Sequence, residues 1–236
     1  MRSSLIFRSL AVVASLYSTS IPYFAAQAME FGTVPMGAEC QSGFCPRAVI
    51  AEGEISESSP KKFQQFLRDE MRTPGLHAVV FINSPGGSVE SALQLGALLH
   101  DAGAAVVVGR PTMGDALKTA TRSRRQKATL GVVPGQCASA CVYTLMGAKR
   151  RVVPSGARLG VHRMSARLYG KDPAGGTMEN SRIFAGSPEI QALRTYVARV
   201  GGSQDLISLA ESVPHDRIHM LSPNEIRRYR LGTPKL

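Results

Sequence analysis

Two short segments, each at a switch from a strand pattern to a helix pattern, constrain this chain most. Residues 82–87 (Ile-Asn-Ser-Pro-Gly-Gly) form a glycine turn after an apolar run, and residues 135–141 place Ser139 among small neighbours. A glycine turn can direct backbone N–H groups at a developing oxyanion, and a serine on a tight elbow is exposed near a helix N-terminus. Together the segments predict a nucleophilic serine beside an oxyanion-binding turn.

A histidine completes this order of motifs. The apolar run 158–161 ends at His162, downstream of Ser139. A histidine by itself is more often a core residue than a base, but a position at the end of a strand favours the base. Oxyanion turn, nucleophile and base are then all accounted for, in a plausible order along the chain.

Strand and helix patterns alternate along the chain. This alternation predicts an α/β fold with a largely parallel sheet and helical cover. The 236 residues suffice for one such domain. We expect an irregular N-terminal arm over residues 29–46 and the folded domain over 47–236, with a basic insertion at about 110–130. The glycine-rich segment 165–187 has the composition of a mobile flap.

These motifs resemble the proteolytic subunit of the Clp protease. The resemblance is carried by Asn-Ser-Pro-Gly-Gly, by Ala-Ser with small neighbours, by Gly-Ala-Lys at 147–149, by Pro154 and by the apolar-His pair at 161–162, and it covers roughly residues 47–232. It implies a serine peptidase of the Clp/crotonase fold, a repeated β-β-α spiral with a C-terminal helical portion. It also implies peptide or unfolded protein substrates and a homo-oligomer.

The resemblance assigns roles to individual residues. It implies Ser139 as the nucleophile, His162 as the base, and the N–H groups of Gly87 and Ala140 as the oxyanion hole. The third catalytic residue of the family is an aspartate, and no aspartate falls cleanly at the matching position of this chain. We expect Glu211 in that role.

The third residue and the base both have alternatives. Asp216 competes with Glu211, and the hydroxyl of Ser212 or a water could orient His162 instead. Lys149 offers a Ser-Lys pair, as in signal peptide peptidases, although a surface lysine in a turn is the simpler interpretation. Two other functions also stay open: a catalytically inactive binding or assembly module with this fold, and an acyl thioester enzyme of the crotonase type.

The N-terminus has the three parts of a secretory signal peptide. Arg2 and Arg8 are basic, residues 10–17 are apolar, and residues 26–28 (Ala-Gln-Ala) form a cleavage site. We therefore expect residues 1–28 to be removed and the mature chain to begin at Met29. This predicts a periplasmic or secreted protein, for which no ATP-driven unfoldase is expected.

Four cysteines form two close pairs, Cys40 with Cys45 and Cys137 with Cys141. An even count in an exported chain favours disulfides. A bridge between the second pair would fix the serine elbow, but spacing alone leaves the cross-pairings open. A zinc site is the rival interpretation, and it lacks a histidine at suitable spacing. The chain has no phosphate loop, dinucleotide fingerprint or metal motif, so we expect no cofactor and no metal.

The chain is strongly basic, with a formal net charge of +11. Part of this charge is clustered in the insertion, at Lys118, Arg122, Arg124, Arg125 and Lys127. Such a cluster could contact an anionic surface. A solvated loop is the simpler interpretation, because the aromatic residues that accompany single-strand nucleic-acid binding are missing.

Overall fold

The computed structural model describes residues 27–37, 45–113, 130–171 and 177–235, and it describes only the backbone of 113, 167–171 and 177–181. Several predictions fall outside these ranges. They concern the signal peptide up to residue 26, Cys40, the insertion at 114–129 with its five clustered basic residues, and the turn at 172–176.

Strands and helices alternate through the described chain, which confirms the predicted α/β class. In order they are β1 (Glu30–Pro35), β2 (Arg47–Glu52), α1 (Ser59–Glu70), β3 (Leu76–Asn83), α2 (Val89–Asp101), β4 (Ala105–Met113), β5 (Leu130–Pro134), β6 (Gln136–Ala138), α3 (Ala140–Gly147), β7 (Arg150–Val152), β8 (Arg158–Val161), β9 (Ser165–Lys171), β10 (Thr177–Phe184), α4 (Ser187–Arg199), α5 (Asp205–Ser212), β11 (His219–Met220) and α6 (Pro223–Arg228).

The main sheet has a parallel centre with antiparallel edges. Its order is β1-β2-β3-β4-β5, and β7 also pairs with β4. The pairs β2 with β3, β3 with β4 and β4 with β7 are parallel, whereas β1 and β5 run antiparallel to their neighbours. A second sheet, β11-β8-β6, contains the parallel pair of β6 and β8. An isolated bridge between Ser84 and Cys137 connects the end of β3 to β6.

Helix α3 lies at the centre of the core. All eight of its residues are buried, and it packs against α2. The two helices approach closely: a Cβ on Gly147 would lie 2.0 Å from the carbonyl oxygen of Gly96. The Tyr196 hydroxyl on α4 donates to the Tyr143 carbonyl at 2.9 Å, which joins α4 to α3. Of the helices in the described ranges, none combines the length and apolarity that crossing a bilayer requires.

Two segments that were expected to be an irregular arm and a mobile flap contain strands in the structure. The first expectation is wrong, whereas the mobility of the second segment stays a prediction. Residues 30–35 were expected in an irregular arm, but they form β1, whose Phe31 ring lies 5.0 Å from that of Phe63. The expected flap contains the antiparallel pair of β9 and β10, with Ser165 opposite Phe184. In both cases pairing with a partner strand and packing decide the conformation, because β-propensity is largely a property of context.

Candidate active site

Ser139 lies on an elbow between β6 and α3. Its backbone has φ 54° and ψ −125°, and among the described residues only Arg230 is another non-glycine residue with positive φ. Such a conformation costs of order 1–3 kcal/mol and persists only where the surroundings fix it. The Ser139 N–H donates to the Gly160 carbonyl at 2.7 Å. Ser139 is partly exposed between buried neighbours, so its hydroxyl faces the surface from a rigid support.

A disulfide spans this elbow. Cys137 and Cys141 are bonded, with their Cα atoms 5.2 Å apart, and both are fully buried. The predicted pairing of these two cysteines is therefore confirmed, whereas Cys40 lies outside the described residues and the pairing of Cys45 stays a prediction. The bridge closes the turn around Ser139 and connects the last strand residues to the first turn of α3.

The glycine turn contacts the serine elbow directly. A Cβ on Gly86 would lie 2.6 Å from the Ala138 carbonyl oxygen and 3.1 Å from the Ala140 nitrogen. The φ angles of Gly86 and Gly87 are 107° and 134°, a region that side chains rarely adopt. Glycine is thus required here both by the backbone conformation and by the close approach of the elbow.

Two backbone N–H groups at this contact are uncommitted. The Gly86 carbonyl accepts from the Ile55 N–H at 2.7 Å, and the Ser88 N–H donates to the Ile55 carbonyl at 2.8 Å, so the intervening Gly87 N–H is left over. Ala140 is the first residue of α3, and its N–H has no acceptor among the described residues either. Two free donors beside a serine are the groups that an oxyanion hole needs.

The side chain of Asn83 connects the glycine turn to the serine elbow, a role that we did not predict from the sequence. Its side-chain oxygen accepts from the Gln136 N–H at 2.9 Å, and its amide nitrogen donates to Glu52 at 3.2 Å. Asn83 therefore fixes the end of β3 against the start of β6, which sets the distance between turn and elbow. The signal was present in the sequence, because Asn83 belongs to the glycine-turn motif.

His162 follows β8, the strand that pairs with β6. Ala138 lies opposite Gly160 in this parallel pair. Ser139 and His162 therefore follow the neighbouring ends of β6 and β8, at the same edge of the sheet. The Nδ1 atom of His162 lies 3.0 Å from the Arg163 carbonyl oxygen. An Nδ1–H that donates there leaves Nε2 as a proton acceptor. No hydrogen bond among the described residues joins His162 to the Ser139 hydroxyl; such bonds often tighten only when substrate binds.

Glu211 binds the segment that follows His162, because its Oε1 accepts from the Met164 N–H at 3.1 Å. Among the described residues no hydrogen bond or ion pair joins His162 to Glu211, Asp216 or Ser212. Asp216 is exposed, and the Ser212 hydroxyl donates to the Leu209 carbonyl at 2.6 Å. Burial, and secondarily the charge of Glu211, raises the pKa of the Tyr143 hydroxyl, which places Glu211 close to α3.

Lys149 lies at the opposite end of α3 from Ser139. The eight residues of α3 separate the two by about 12 Å at 1.5 Å per residue. The Nζ atom of Lys149 lies 2.7 Å from His100 Nε2. The structure therefore does not bring together the Ser-Lys pair that we considered. Within the described ranges, no group of three or more His, Cys, Asp or Glu side chains is arranged to bind a metal.

An apolar cleft of about 330 Å³ begins at the glycine turn. Its lining contains Gly87 and Val89 on the glycine-turn side, Met164 before β9, and Ala166 and Phe184 in the β9–β10 hairpin. Ile183 and Phe184 are among the exposed large apolar side chains of the chain. This cleft was not predicted from the sequence, although apolar residues at the end of a polar segment were a usable signal.

No protein-family model matches this chain, and no curated protein sequence matches it significantly. Among solved structures, it is similar to a variant of the 1510-N membrane-bound stomatin-specific protease, with TM-score 0.47, 15% identity, and 80% of this chain and 79% of that chain covered. It is also similar to ClpP1 from Listeria monocytogenes, with TM-score 0.41, 20% identity, and 76% and 84% covered. These values are too low to transfer the role of any residue.

Proposed function

We propose that this chain is a serine peptidase whose nucleophile is Ser139. The observation that carries the proposal is the elbow: Ser139 has a strained positive φ and lies beside two uncommitted N–H groups, those of Gly87 and Ala140. A purely structural serine needs neither feature. Strain of this kind clusters at functional sites because the surrounding structure has to maintain it.

The reaction divides into acylation and deacylation. Ser139 Oγ attacks the peptide carbonyl carbon while its proton passes to His162 Nε2. The oxyanion that forms accepts hydrogen bonds from the N–H groups of Gly87 and Ala140. The N-terminal dipole of α3 stabilises the same charge. His162 then protonates the leaving amine as the C–N bond breaks. Water, deprotonated by His162, next hydrolyses the acyl ester and returns the serine.

Glu211 is a positioning residue in this proposal. Its carboxylate binds the Met164 N–H, and the Arg163 N–H donates to the Val213 carbonyl at 2.9 Å. Both contacts fasten the segment after His162 to the end of α5. The carbonyl of Arg163 in turn accepts from His162 and selects its tautomer. Glu211 thus orients the base through the backbone.

The substrate that fits best is an extended peptide or unfolded protein segment with apolar side chains. The cleft that begins at Gly87, one of the two oxyanion donors, is lined mainly by apolar side chains, with Ser88, Ser165 and Glu189 as its polar lining. We further propose that the protein is exported and acts as a homo-oligomer without an ATP-driven unfoldase. A buried disulfide is consistent with an oxidising compartment.

Serine-directed labelling tests the proposal. A fluorophosphonate probe should label the wild-type protein, and a fluorogenic peptide library should be hydrolysed. Ser139→Ala should abolish both signals. Ser155→Ala removes an exposed serine between β7 and β8 and should leave both unchanged. Labelling that survives Ser139→Ala would refute the assignment of the nucleophile.

The same assays separate the alternatives. A folded wild-type protein that is inert to both probe and peptides would favour a binding or assembly module. Hydrolysis of an acyl thioester that is unaffected by Ser139→Ala would favour a crotonase-type enzyme, because such enzymes use the two-donor oxyanion hole without a serine nucleophile.

A further inference from the structure

Five basic side chains surround one cavity at the end of α3 far from Ser139. The cavity has a volume of about 390 Å³. Its basic lining consists of Lys149, Arg150, Arg151, Arg230 and Lys235. The other lining residues are Val152, Gly232 and Thr233, so no acidic side chain contributes. We call this the basic cavity.

The charge of the basic cavity is not neutralised by the described part of the protein. Some cations elsewhere are paired, as in the contacts of Arg47 with Glu70, Lys62 with Glu30 and Arg110 with Glu52. No carboxylate among the described residues forms an ion pair with any of the five basic side chains. A concave surface lined by one sign of charge concentrates ions of the opposite sign.

The walls of the basic cavity are fixed by hydrogen bonds. The Arg151 guanidinium donates to the carbonyls of Ala148, Val200 and Arg230, at 3.1, 2.7 and 2.6 Å. The Thr233 N–H donates to the Arg151 carbonyl at 3.0 Å, which joins the C-terminal segment to β7. Burial lowers the pKa of Arg151, as expected for a cation with no anion beside it.

Of the other basic side chains, that of Lys149 is held in place, whereas those of Arg150 and Arg230 are free to bind a ligand. Lys149 Nζ is held by His100 Nε2, while His100 Nδ1 lies 3.2 Å from the Gly147 carbonyl oxygen. The side chains of Arg150 and Arg230 are exposed, and neither donates to another described residue. Arg230, just past the C-cap of α6, has φ 57°, and among the described non-glycine residues only Ser139 also has a positive φ.

We propose that the basic cavity binds the phosphate group of a phosphomonoester or phosphodiester. The two free guanidinium groups, those of Arg150 and Arg230, match the paired oxygens of phosphate, and the other cations of the cavity favour an anionic group that offers several acceptor oxygens. The lining has no aromatic side chain on which a nucleobase could stack, which disfavours nucleic acid. The site lies at the other end of α3 from Ser139, so occupancy leaves the peptidase cleft open.

Calorimetric titration with inorganic phosphate at constant ionic strength tests the proposal. Arg150→Gln with Arg230→Gln should weaken phosphate binding at least tenfold, whereas the corresponding double change to lysine should weaken it less because the charge is kept. The matched control is Arg68→Gln with Arg72→Gln, which removes the same charge from an exposed part of α1 and its end. It should bind within twofold of the wild type.

Sedimentation with lipid vesicles distinguishes the source of the phosphate. Preferential binding to phosphatidylglycerol vesicles over phosphatidylcholine vesicles identifies a lipid headgroup if Arg150→Gln with Arg230→Gln abolishes it. The control pair, Arg68→Gln with Arg72→Gln, should keep this binding. Binding of inorganic phosphate without vesicle binding identifies a soluble phosphate. The absence of saturable binding to either ligand by the wild type, or equal weakening by both glutamine pairs, would overturn the proposal. Peptide hydrolysis should be unchanged by the Arg150 and Arg230 changes, so this test is independent of the proposed peptidase function.

Discussion

The serine side and the histidine side of the candidate site are held by different kinds of interaction. On the serine side, Cys137 and Cys141 are covalently bonded in the core. The bonds from Ser84 N–H to Gln136 O and from Ala138 N–H to Ser84 O fasten the elbow to the glycine turn. On the histidine side, His162 and Met164 are partly exposed, and a few polar contacts position them.

This difference has a physical reason. A strained backbone at Ser139 needs surroundings that cannot relax, and a buried disulfide within a packed core provides them. In the proposed mechanism the histidine accepts and returns a proton, so small adjustments of its ring are useful. The Arg163 guanidinium, 4.1 Å from the centre of the Phe184 ring, connects the histidine segment to the cleft wall. Substrate that presses on this wall can therefore affect the position of the base.

The largest expected effect is the loss of the base. His162→Ala should lower turnover of a fluorogenic peptide roughly 10,000-fold, and the double variant with Ser139→Ala should be little worse, because the two residues act as a unit. His77→Ala, which changes an exposed histidine at the start of β3, is the control. If His162→Ala kept a tenth of wild-type turnover, the histidine side would not supply the base.

Removal of the disulfide tests the serine side. Cys137→Ala with Cys141→Ala should reduce the free energy of unfolding by about 2 kcal/mol, the loop-entropy value for so short a ring. We expect relaxation of Ser139 to weaken transition-state binding by about 1.4 kcal/mol, which lowers turnover about tenfold. Chemical denaturation and peptide hydrolysis measure the two quantities. A large loss of stability with unchanged turnover would show that the core alone maintains the elbow.

The same comparison explains what the sequence could predict. Ser139, the glycine turn and the two bonded cysteines each lie in a compact sequence motif that can be recognised by itself, even though the contact between turn and elbow is long-range, with 53 residues between Asn83 and Gln136. The contact of Glu211 with Met164 spans 47 residues. Nothing in the spacing indicates that Glu211 would bind a backbone N–H instead of the imidazole. Strand β1 was missed for a similar reason, because its conformation is imposed by β2 and by packing on α1.

Glu211 variants distinguish positioning from direct contact. Glu211→Gln keeps an oxygen that can accept from Met164, so kcat should stay within about threefold of the wild type. Glu211→Ala removes the acceptor and should lower kcat about tenfold, the equivalent of one lost hydrogen bond of about 1.4 kcal/mol, with little change in KM. Asp216→Ala should behave as the wild type because Asp216 is exposed.

The contrary result for Glu211 is equally specific. When a carboxylate contacts the base directly, the amide variant loses roughly four orders of magnitude because the tautomer is wrong. A loss of that size in Glu211→Gln would mean that Glu211 reaches His162 during catalysis. The histidine side would then rearrange between the free and the substrate-bound protein.

The smallest expected effect concerns β11, which pairs with β8, the strand that leads to His162. In β11, next to β8, His219 Nε2 lies 2.8 Å from Glu225 Oε1, and Glu225 also accepts from the hydroxyl and N–H of Ser222. The hydrogen bonds from Ser222, followed by that from His219, lower the pKa of Glu225 from 4.5 to about 2. A lowered carboxyl pKa stabilises the fold above pH 4.5, and this contribution is lost as the pH falls towards 2.

Glu225→Gln should therefore be less stable than the wild type near pH 6, by up to about 1 kcal/mol for an ion pair at the surface. The difference should shrink between pH 4.5 and 2, measured by chemical denaturation. A difference that stays constant across this range would show that the carboxylate charge contributes nothing to the support of β8.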